Sequence, residues 1–562
     1  MKKTIASALM IFYSAIFIGQ VTNEGKPASW EEEFLKSSKK NISEIQMPLF
    51  NLKKIRAEDK VNDSDRSKPY RFGHEFKVDV DVKKDGTLDI LPNGDHLYRL
   101  GIYSDGAKTL NFVFDKYSIP IGATIYFYND DKTDLLGAYT NVFNSADEML
   151  GTWMVSGEKV WIEYREPKSV IGQGKLNIGR VIHGYRSVTD VETQQKALND
   201  SGDCNRDVNC WVGKDFNNLK NKLKHSVALV IMNGSTCSGT LINNTKNDGT
   251  PFLLTANHCN TGSESTWAFR FNWVSPKTSC GTTANSTNGS MKQTTSGAKR
   301  LASNSNSDFK LLRLTGGLGN WRLEFAGWDR SGKRPTGYTV GIHHPWGDVM
   351  KVCRDNARPK YSTFDLNGDG KAVLKAWKID DWDLGVTEPG SSGSALFDST
   401  GRIIGQLAGG SAACYGTNDN GLDDNYGRFS VSWNSGNTNG TRLRNWLDPK
   451  GTGAKTLNSF SKWVKKDVNS NSVVEEENNK LVDDIAKIYP NPSNGIINMI
   501  NNSGDILRYT LFNVMGQEIG RGELIENSIV LDMTSYVDGI YFVSITNTLN
   551  NKIFTKKIVI NR

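Results

Sequence analysis

A mainly β protein is predicted, and three observations carry that expectation. "HEFKVDVDV" (74–82), "TIYFYND" (124–130) and "VWIEYRE" (160–166) alternate apolar and polar residues, the pattern of half-buried strands. From about Ala197 to Leu457 the composition turns to Gly, Ser, Thr, Asn and Trp, broken by short apolar runs: "SVALVIM", "TCSGTLI", "PFLLTA", "FKLLRL" and "RIIGQLA". That spacing predicts a β-barrel or sandwich. The last stretch, Ile488 to Arg562, returns to strand-like alternation in "GIYFVSITN" and "KKIVIN", which predicts a small β-sandwich module.

The elements follow in chain order. The chain has 562 residues, enough for roughly three or four domains. Lys2 and Lys3 precede the apolar run "IASALMIFYSAIFIG" (Ile5 to Gly19), which is shorter than a spanning helix and followed by polar sequence. Residues 1–19 therefore read as a secretory signal peptide, and no later segment is long and apolar enough to cross a membrane. Residues 20–196 hold no cysteine and form a β-rich region, expected to be a propeptide. Its histidines, His74, His96 and His183, are scattered and expected to be structural. Residues 197–457 form the next domain. It closes with "TRLRNWLDP", where Leu443, Trp446 and Leu447 share a helix face and Pro449 stops the helix. The polar, charged stretch 458–487 is a linker. A formal charge of +7 is small for this length, and no basic, aromatic-interleaved patch points to nucleic acid.

All 7 cysteines fall between Cys204 and Cys414. In an exported protein such a cluster reads as disulfides, and the odd count leaves one thiol unpaired. The absence of CxxC pairs argues against a structural zinc site.

"TEPGSSGSALFD" (387–398) sets three serines among glycines before an apolar run. A serine hydroxyl is a poor nucleophile near neutral pH. It needs a base within hydrogen-bond reach, and the base needs an orienting acid. The cysteine-bearing domain offers His225, His258, His343 and His344. His258 ends an apolar strand in "FLLTANHC", next to Cys259, with Cys237 upstream in "STCSGTLI".

The series "CSGTLI", "LLTANHC", "SDFKLLRL" and "PGSSGSALF" resembles the trypsin-type fold with its order His, Asp, Ser. Within that group "LINNT", "AGWDR", "IHHP", "GVTEPGSSGS", "GQLAGG" and "YGR" closely resemble the bacterial lysyl endopeptidases, over roughly Cys204 to Pro449. The resemblance implies a chymotrypsin-like double β-barrel and a secreted serine endopeptidase cleaving after lysine. It implies Ser392 as nucleophile, His258 as base, Asp308 as orienting acid, and the N–H groups of Gly390 and Ser392 as oxyanion hole. It further implies Asp424, with Asp423 a near rival, as the carboxylate of the lysine pocket. Position 386, where the trypsins proper keep that acid, is Val386. Gly409, Gly410 and Ser411 would pair with substrate backbone as an added strand. The implied disulfides are Cys204–Cys414, Cys210–Cys280 and Cys237–Cys259, leaving Cys353 as a buried thiol. The third would staple the His258 loop to its neighbouring strand, a constraint worth about 3 kcal/mol.

Two departures from the family stand out. Ala408 replaces its histidine, and "STFDLNGDGKAVLKAWK" (362–378) has no tryptophan that aligns with the family's aromatic partner, although Trp377 lies in it. The alternatives are a broader lysine and arginine protease, or an inactive adhesin on the same scaffold. No cofactor or metal is expected. "DLNGDG" (Asp365 to Gly370) lacks the glutamate of a calcium loop, having Ala376 there, and His343 with His344 lacks a third ligand. Self-cleavage after Lys196 would start the mature chain at Ala197. Finally, "KIYPNPSNG", "LFNVMGQEI", "DGIYFVSI" and "KKIVINR" resemble the C-terminal sorting domains of the type IX (Por) secretion system. That resemblance implies export through the periplasm and outer membrane by this machinery, to the surface or outside. The expected partners are protein or peptide substrates and the secretion machinery, and the mature enzyme is expected to be a monomer.

Overall fold

A computed structural model describes residues 25–31, 41–65, 68–186, 200–289, 293–319, 321–370 and 373–461, and in the C-terminal module 486–501, 507–513, 517–524, 528–547 and 553–561. The signal-peptide segment 1–19 and Lys196 lie outside the described residues. The chain divides into two compact units, residues 1–463 and 464–562.

The first unit begins with two sheets. One orders Ser43–Gln46, His96–Tyr103, Lys159–Glu166, Thr124–Asn129 and Leu135–Tyr139, with Thr87–Ile90 beside His96–Tyr103. The other orders Val155–Ser156, Thr109–Ser118, Lys175–Gly184 and Gly73–Asp81, with Leu150–Gly151 beside Thr109–Ser118. The alternation read from "TIYFYND" and "VWIEYRE" sends Ile125, Phe127, Val160 and Ile162 to one face. There they share a buried core with Phe112, Phe114, Ile178 and Val181 of the second sheet. That core does not stop at the domain border: Leu229, Ile231, Ala268 and Trp273 of the following domain belong to it.

The following domain is built on two larger sheets. The first orders Thr294–Ser296, Ala268–Phe271, Val227–Met232, Ser235–Leu241, Phe252–Ala256, Phe309–Leu314 and Ala298–Asn304. The second orders Lys351–Asp355, Thr339–His343, Ala395–Asp398, Arg402–Gly410, Asp424–Arg428, Val373–Ile379 and Lys360–Asp365. This is the two-sheet body of a chymotrypsin-like double barrel. Central strands buried on both faces read as continuous apolar runs, which is why "SVALVIM" and "PFLLTA" lack alternation. The helix expected in "TRLRNWLDP" covers only Arg444–Leu447. Leu443 and Leu447 are buried and Trp446 is half-buried against the same core.

A short strand of the N-terminal region, Tyr70–Arg71, joins the first of these sheets by pairing with Ser235 and Thr236. Nearby the guanidinium of Arg270 is fully buried with its Cζ 3.9 Å from the centroid of the Trp153 ring, across the border between the two domains. The aromatic face covers this cation, and its Nε donates to Thr294 Oγ1 at 3.1 Å.

The second unit is a sandwich of a three-stranded sheet (Ala486–Tyr489, Ile496–Asn501, Ser528–Asp532) and a four-stranded sheet (Glu518–Leu524, Leu507–Asn513, Gly539–Asn547, Ile553–Ile560). Ile497, Met499, Leu511, Val543, Ile545 and Ile558 fill it.

Trp153→Ala removes a large buried ring and leaves the Arg270 charge without its cover. The expected cost is about 3–5 kcal/mol, measured as a lowered midpoint of thermal unfolding of the full chain. A change within experimental error would show that this cross-domain contact contributes nothing.

Candidate active site

Strands Phe252–Ala256 and Phe309–Leu314 are antiparallel neighbours, with Ala256 opposite Phe309. This register sets the residues just beyond Ala256 and just before Phe309 at the same end of the sheet. His258 and Asp308 occupy those positions. His258 Nδ1 lies 2.7 Å from Asp308 Oδ2, and the His258 backbone N–H donates to Asp308 Oδ1 at 2.9 Å. The Asn257 N–H donates to the Asp308 carbonyl at 2.8 Å, so backbone and side chain both hold the pair. Asp308 adopts φ +54°, a left-handed conformation that aspartate tolerates better than most residues. Behind the loop, the buried Lys310 ammonium donates to the Cys259 carbonyl at 2.7 Å and pairs with Glu264 at 3.2 Å.

Three serines compete in "GSSGS", and their surroundings separate them. Ser391 is 0% exposed, and its Oγ lies 2.7 Å from His343 Nδ1 and accepts the Glu388 N–H at 3.2 Å. Ser394 is also 0% exposed. Ser392, 8% exposed, alone of the three lines a cavity, which it shares with Gly409, Gly410 and Asp424. The carbonyl of Ser392 accepts the Ser238 N–H at 2.8 Å, and Ser238 Oγ donates to the Gly390 carbonyl at 3.0 Å. These bonds join the serine loop of the second sheet to the first sheet. The join is close: a Cβ at Gly393 would lie 2.2 Å from Thr255 Oγ1 and 2.6 Å from the Ala256 nitrogen. With φ +82° as well, position 393 admits only glycine. Among the described residues no group hydrogen-bonds His258 Nε2. This imidazole edge is available to a hydroxyl, and such bonds commonly tighten only when substrate binds.

Asp424, which also lines the cavity, is the first residue of strand Asp424–Arg428 and is 2% exposed. Its Oδ2 accepts from Trp382 Nε1 at 2.7 Å and from Thr387 Oγ1 at 2.6 Å. Asp423, its rival in the sequence, has a side chain 34% exposed and 3.7 Å from the Lys378 ammonium. Gly409 and Gly410 sit beside Asp424 in the register. The exposed Ser411 donates its N–H to the Asp423 carbonyl at 2.7 Å.

Trp377 is buried away from the cavity, donating to the Ile404 carbonyl at 3.0 Å and packing on Tyr361. The tryptophan that reaches Asp424 is Trp382, which sequence reasoning missed. Its signal was its place in "DDWDLGVTEPG", five residues before Thr387. Ala408 packs in a small apolar cluster with Leu374, Ala376, Phe364 and Leu366. The cysteines pair as Cys204–Cys414, Cys210–Cys280 and Cys237–Cys259, and Cys353 is a buried thiol whose pKa burial pushes up. His258 with Cys237 and Cys259 forms a group of potential metal ligands whose atoms lie within 4.8 Å of one another, but both sulfurs are spent in one disulfide. His343 and His344 turn their Nδ1 atoms to Ser391 Oγ and the Asp348 carbonyl. At Asp365 the side chain accepts the Gly370 N–H at 2.6 Å, which closes a turn.

Residues 198–427 match the family model described as lysyl endopeptidase, C-terminal domain. The chain carries a lysyl endopeptidase-type domain. It is a serine endopeptidase of trypsin-like type. It is 25% identical over 346 residues to the lysyl endopeptidase of Pseudomonas aeruginosa, an alignment covering 58% of this chain and 71% of that relative. Residues 487–561 match the model described as secretion system C-terminal sorting domain, which directs export by the type IX system to the cell surface or beyond. Among solved structures, Rv3671c of M. tuberculosis is 14% identical with a TM-score of 0.25, over 37% of this chain and 82% of that one. Deg5 is 17% identical with a TM-score of 0.25, over 37% of this chain and 87% of that one.

His343 and His344 are neutral in the folded protein. Burial pushes them down to about 3 and about 4, and the Lys351 charge pushes the same way. Their folded pKa lies below the unfolded value, so the unfolded chain binds more protons between the two. The stability they contribute is therefore present above about pH 6.5 and lost as pH falls toward 4. The thermal midpoint is expected to drop between pH 7 and pH 4.5, and the drop should be shallower in His343→Gln. An equal drop in the variant would remove His343 from the account.

Proposed function

We propose that the protein is a secreted endopeptidase that cleaves on the carboxyl side of lysine, made as an inhibited precursor. The observation that carries the reading is a buried carboxylate, Asp424, lining the same cavity as Ser392. A substrate lysine entering that cavity would bring its ammonium to Asp424 and its carbonyl carbon to Ser392. His258 takes the Ser392 hydroxyl proton as Oγ attacks, and Asp308 holds the imidazole with Nε2 toward the serine and stabilises the imidazolium. The N–H groups of Gly390 and Ser392 receive the oxyanion. His258 then gives its proton to the leaving amine, and water, activated by the same imidazole, releases the acyl group. Gly409 and Gly410 offer the extended edge along which the substrate backbone lies.

The domain boundaries of this reading are signal peptide 1–19, propeptide 20–196, protease 197–457, linker 458–487 and sorting domain 488–562. Inhibition is supported by the cavity lining. Asp63, Asp65, Lys68, Pro69 and Tyr70 of the N-terminal region line the same cavity as Ser392 and Asp424, and a cavity volume of about 10 Å³ remains. Tyr70 packs edge-on against Trp346, with ring centroids 5.0 Å apart. Lys68 is not offered as a substrate: its ammonium is bound within its own segment, 3.1 Å from Asp65 and 2.9 Å from Asn62 Oδ1. Cleavage after Lys196 is the step that starts release of this cover.

Ser392→Ala should abolish hydrolysis and phosphonate labelling. Asp308→Asn should lower kcat by about 10⁴-fold, because the wrong tautomer then faces the serine. Measured on a mixed peptide library, cleavage after lysine well above arginine is expected of the processed enzyme. Equal rates would favour the broader specificity, and absent labelling would favour an inactive scaffold.

Lys196→Gln should accumulate as precursor uncut at that bond, and Ser392→Ala should do the same when expressed alone. N-terminal sequencing of the secreted products reads both. A Lys196→Gln chain that still starts at Ala197 would end the self-processing reading.

A further inference from the structure

We infer that Trp382 and Thr387 decide which basic side chain the pocket accepts, by committing one oxygen of Asp424 before substrate arrives. The inference rests on the reading of Asp424 as the pocket carboxylate. Oδ2 of Asp424 accepts two short bonds, from the Trp382 indole at 2.7 Å and the Thr387 hydroxyl at 2.6 Å. A carboxylate oxygen has two lone-pair directions, and both of Oδ2 are taken. Neither donor is free to turn away. Trp382 and Thr387 are buried, and the indole packs edge-on against Tyr426 with ring centroids 6.3 Å apart. Cys353, Ile379 and Val386 pack in the same apolar cluster as the indole, and the other acid of this loop that lines the cavity, Glu388, is held by the Gly202 N–H and the Asn205 amide.

The two basic side chains respond differently to such an acceptor. A guanidinium is a planar fork whose strongest mode uses both carboxylate oxygens at once. With Oδ2 committed, that mode would require breaking two charge-assisted bonds in a buried site. An ammonium is a compact charge satisfied by one oxygen and whatever hydroxyls or carbonyls surround it. Approach to the other oxygen is also narrow: a Cβ at Gly410 would lie 2.3 Å from Asp424 Oδ1, so the Gly410 backbone borders that side. The pair Trp382 and Thr387 therefore positions a one-oxygen receptor, matched to lysine and poor for arginine. Neither residue touches the scissile bond, so both act on substrate choice rather than on the chemistry.

The test uses the processed enzyme, with active sites counted by phosphonate labelling, and two peptide amides differing only in lysine or arginine before the cleaved bond. Thr387→Val removes the hydroxyl and keeps the shape; Trp382→Phe removes the N–H and keeps a ring. Each should lower the lysine-to-arginine ratio of kcat/KM by about tenfold or more, the worth of one charge-assisted hydrogen bond, while Thr387→Ser keeps the ratio. A ratio within about twofold of the parent in Thr387→Val, with both substrates falling together, overturns the inference. If Trp382→Phe yields no labelled sites, the Thr387 pair of variants decides alone. Asp424→Asn separates the two levels. Loss of all preference for basic residues there, with an unmoved ratio in Thr387→Val, removes only this inference. Persistence of lysine preference in Asp424→Asn removes the pocket reading beneath it.

Discussion

Everything at the site depends on how closely the serine loop approaches the end of strand Phe252–Ala256. Thr255 Oγ1 and the Ala256 nitrogen stand where a side chain at Gly393 would be. Because nothing is there, the Ser392 carbonyl can take the Ser238 N–H at 2.8 Å. The loop of the second sheet is thereby held against the strand that carries His258. On the proposed reading each sheet alone holds half of the site: His258 with Asp308 on one, Ser392 with Asp424 on the other. Packing density rather than any single strong bond sets their separation, since a close-packed junction tolerates no inserted methyl.

Near that junction several buried charged groups are held by named partners. Lys351 is held by Asp207 at 2.7 Å and Asp348 at 3.2 Å, and Asp348 also receives the Ser201 hydroxyl at 2.5 Å. Glu388, four residues before Ser392, receives the Gly202 N–H at 2.9 Å and the Asn205 amide at 2.7 Å. A buried charge without such partners would cost several kcal/mol or neutralise. The segment 200–205 thus belongs structurally to the serine loop, although nearly two hundred residues separate them in sequence.

Much of this was legible in the sequence, for physical reasons that particular residues show. Strands with one partly buried face announce themselves by alternation, as in Thr124–Asn129, and strands buried on both faces by unbroken apolar runs, as in Val227–Met232. The partners His258 and Asp308 flank two adjacent strands, and each leaves a local mark: a histidine beside a cysteine, an aspartate before an apolar run. Trp382 left only its nearness to the "GVTEPG" segment. Its role depends on the indole reaching across to a strand that starts 42 residues later, and no local pattern encodes a bond of that kind. Ala408 is similar. Its meaning lies in the apolar neighbours Leu374 and Phe364, which come from a hairpin distant in sequence. The lining of the cavity by Asp63, Asp65 and residues 68–70 was hidden for a third reason. A two-residue strand such as Tyr70–Arg71 is defined by its partner, Ser235–Thr236, and not by its own composition.

The same architecture explains why a single cut would not by itself expose the site. The N-terminal sandwich is not tied to the protease by a linker alone. Its core includes Leu229, Ile231, Ala268 and Trp273, its strand Tyr70–Arg71 extends the first protease sheet, and Trp153 covers Arg270. Cleavage after Lys196 would leave all of these contacts in place. It would also leave residues 200–205 in place, because Cys204 is bonded to Cys414 and Gly202 to Glu388. A cut there divides the chain between two differently anchored parts, a cover held by apolar packing and a mature end held by a covalent bond. Apolar packing is lost cooperatively once part of it opens, whereas the disulfide persists. Removal of the cover then requires further proteolysis or unfolding of the sandwich, while the serine loop keeps its supports.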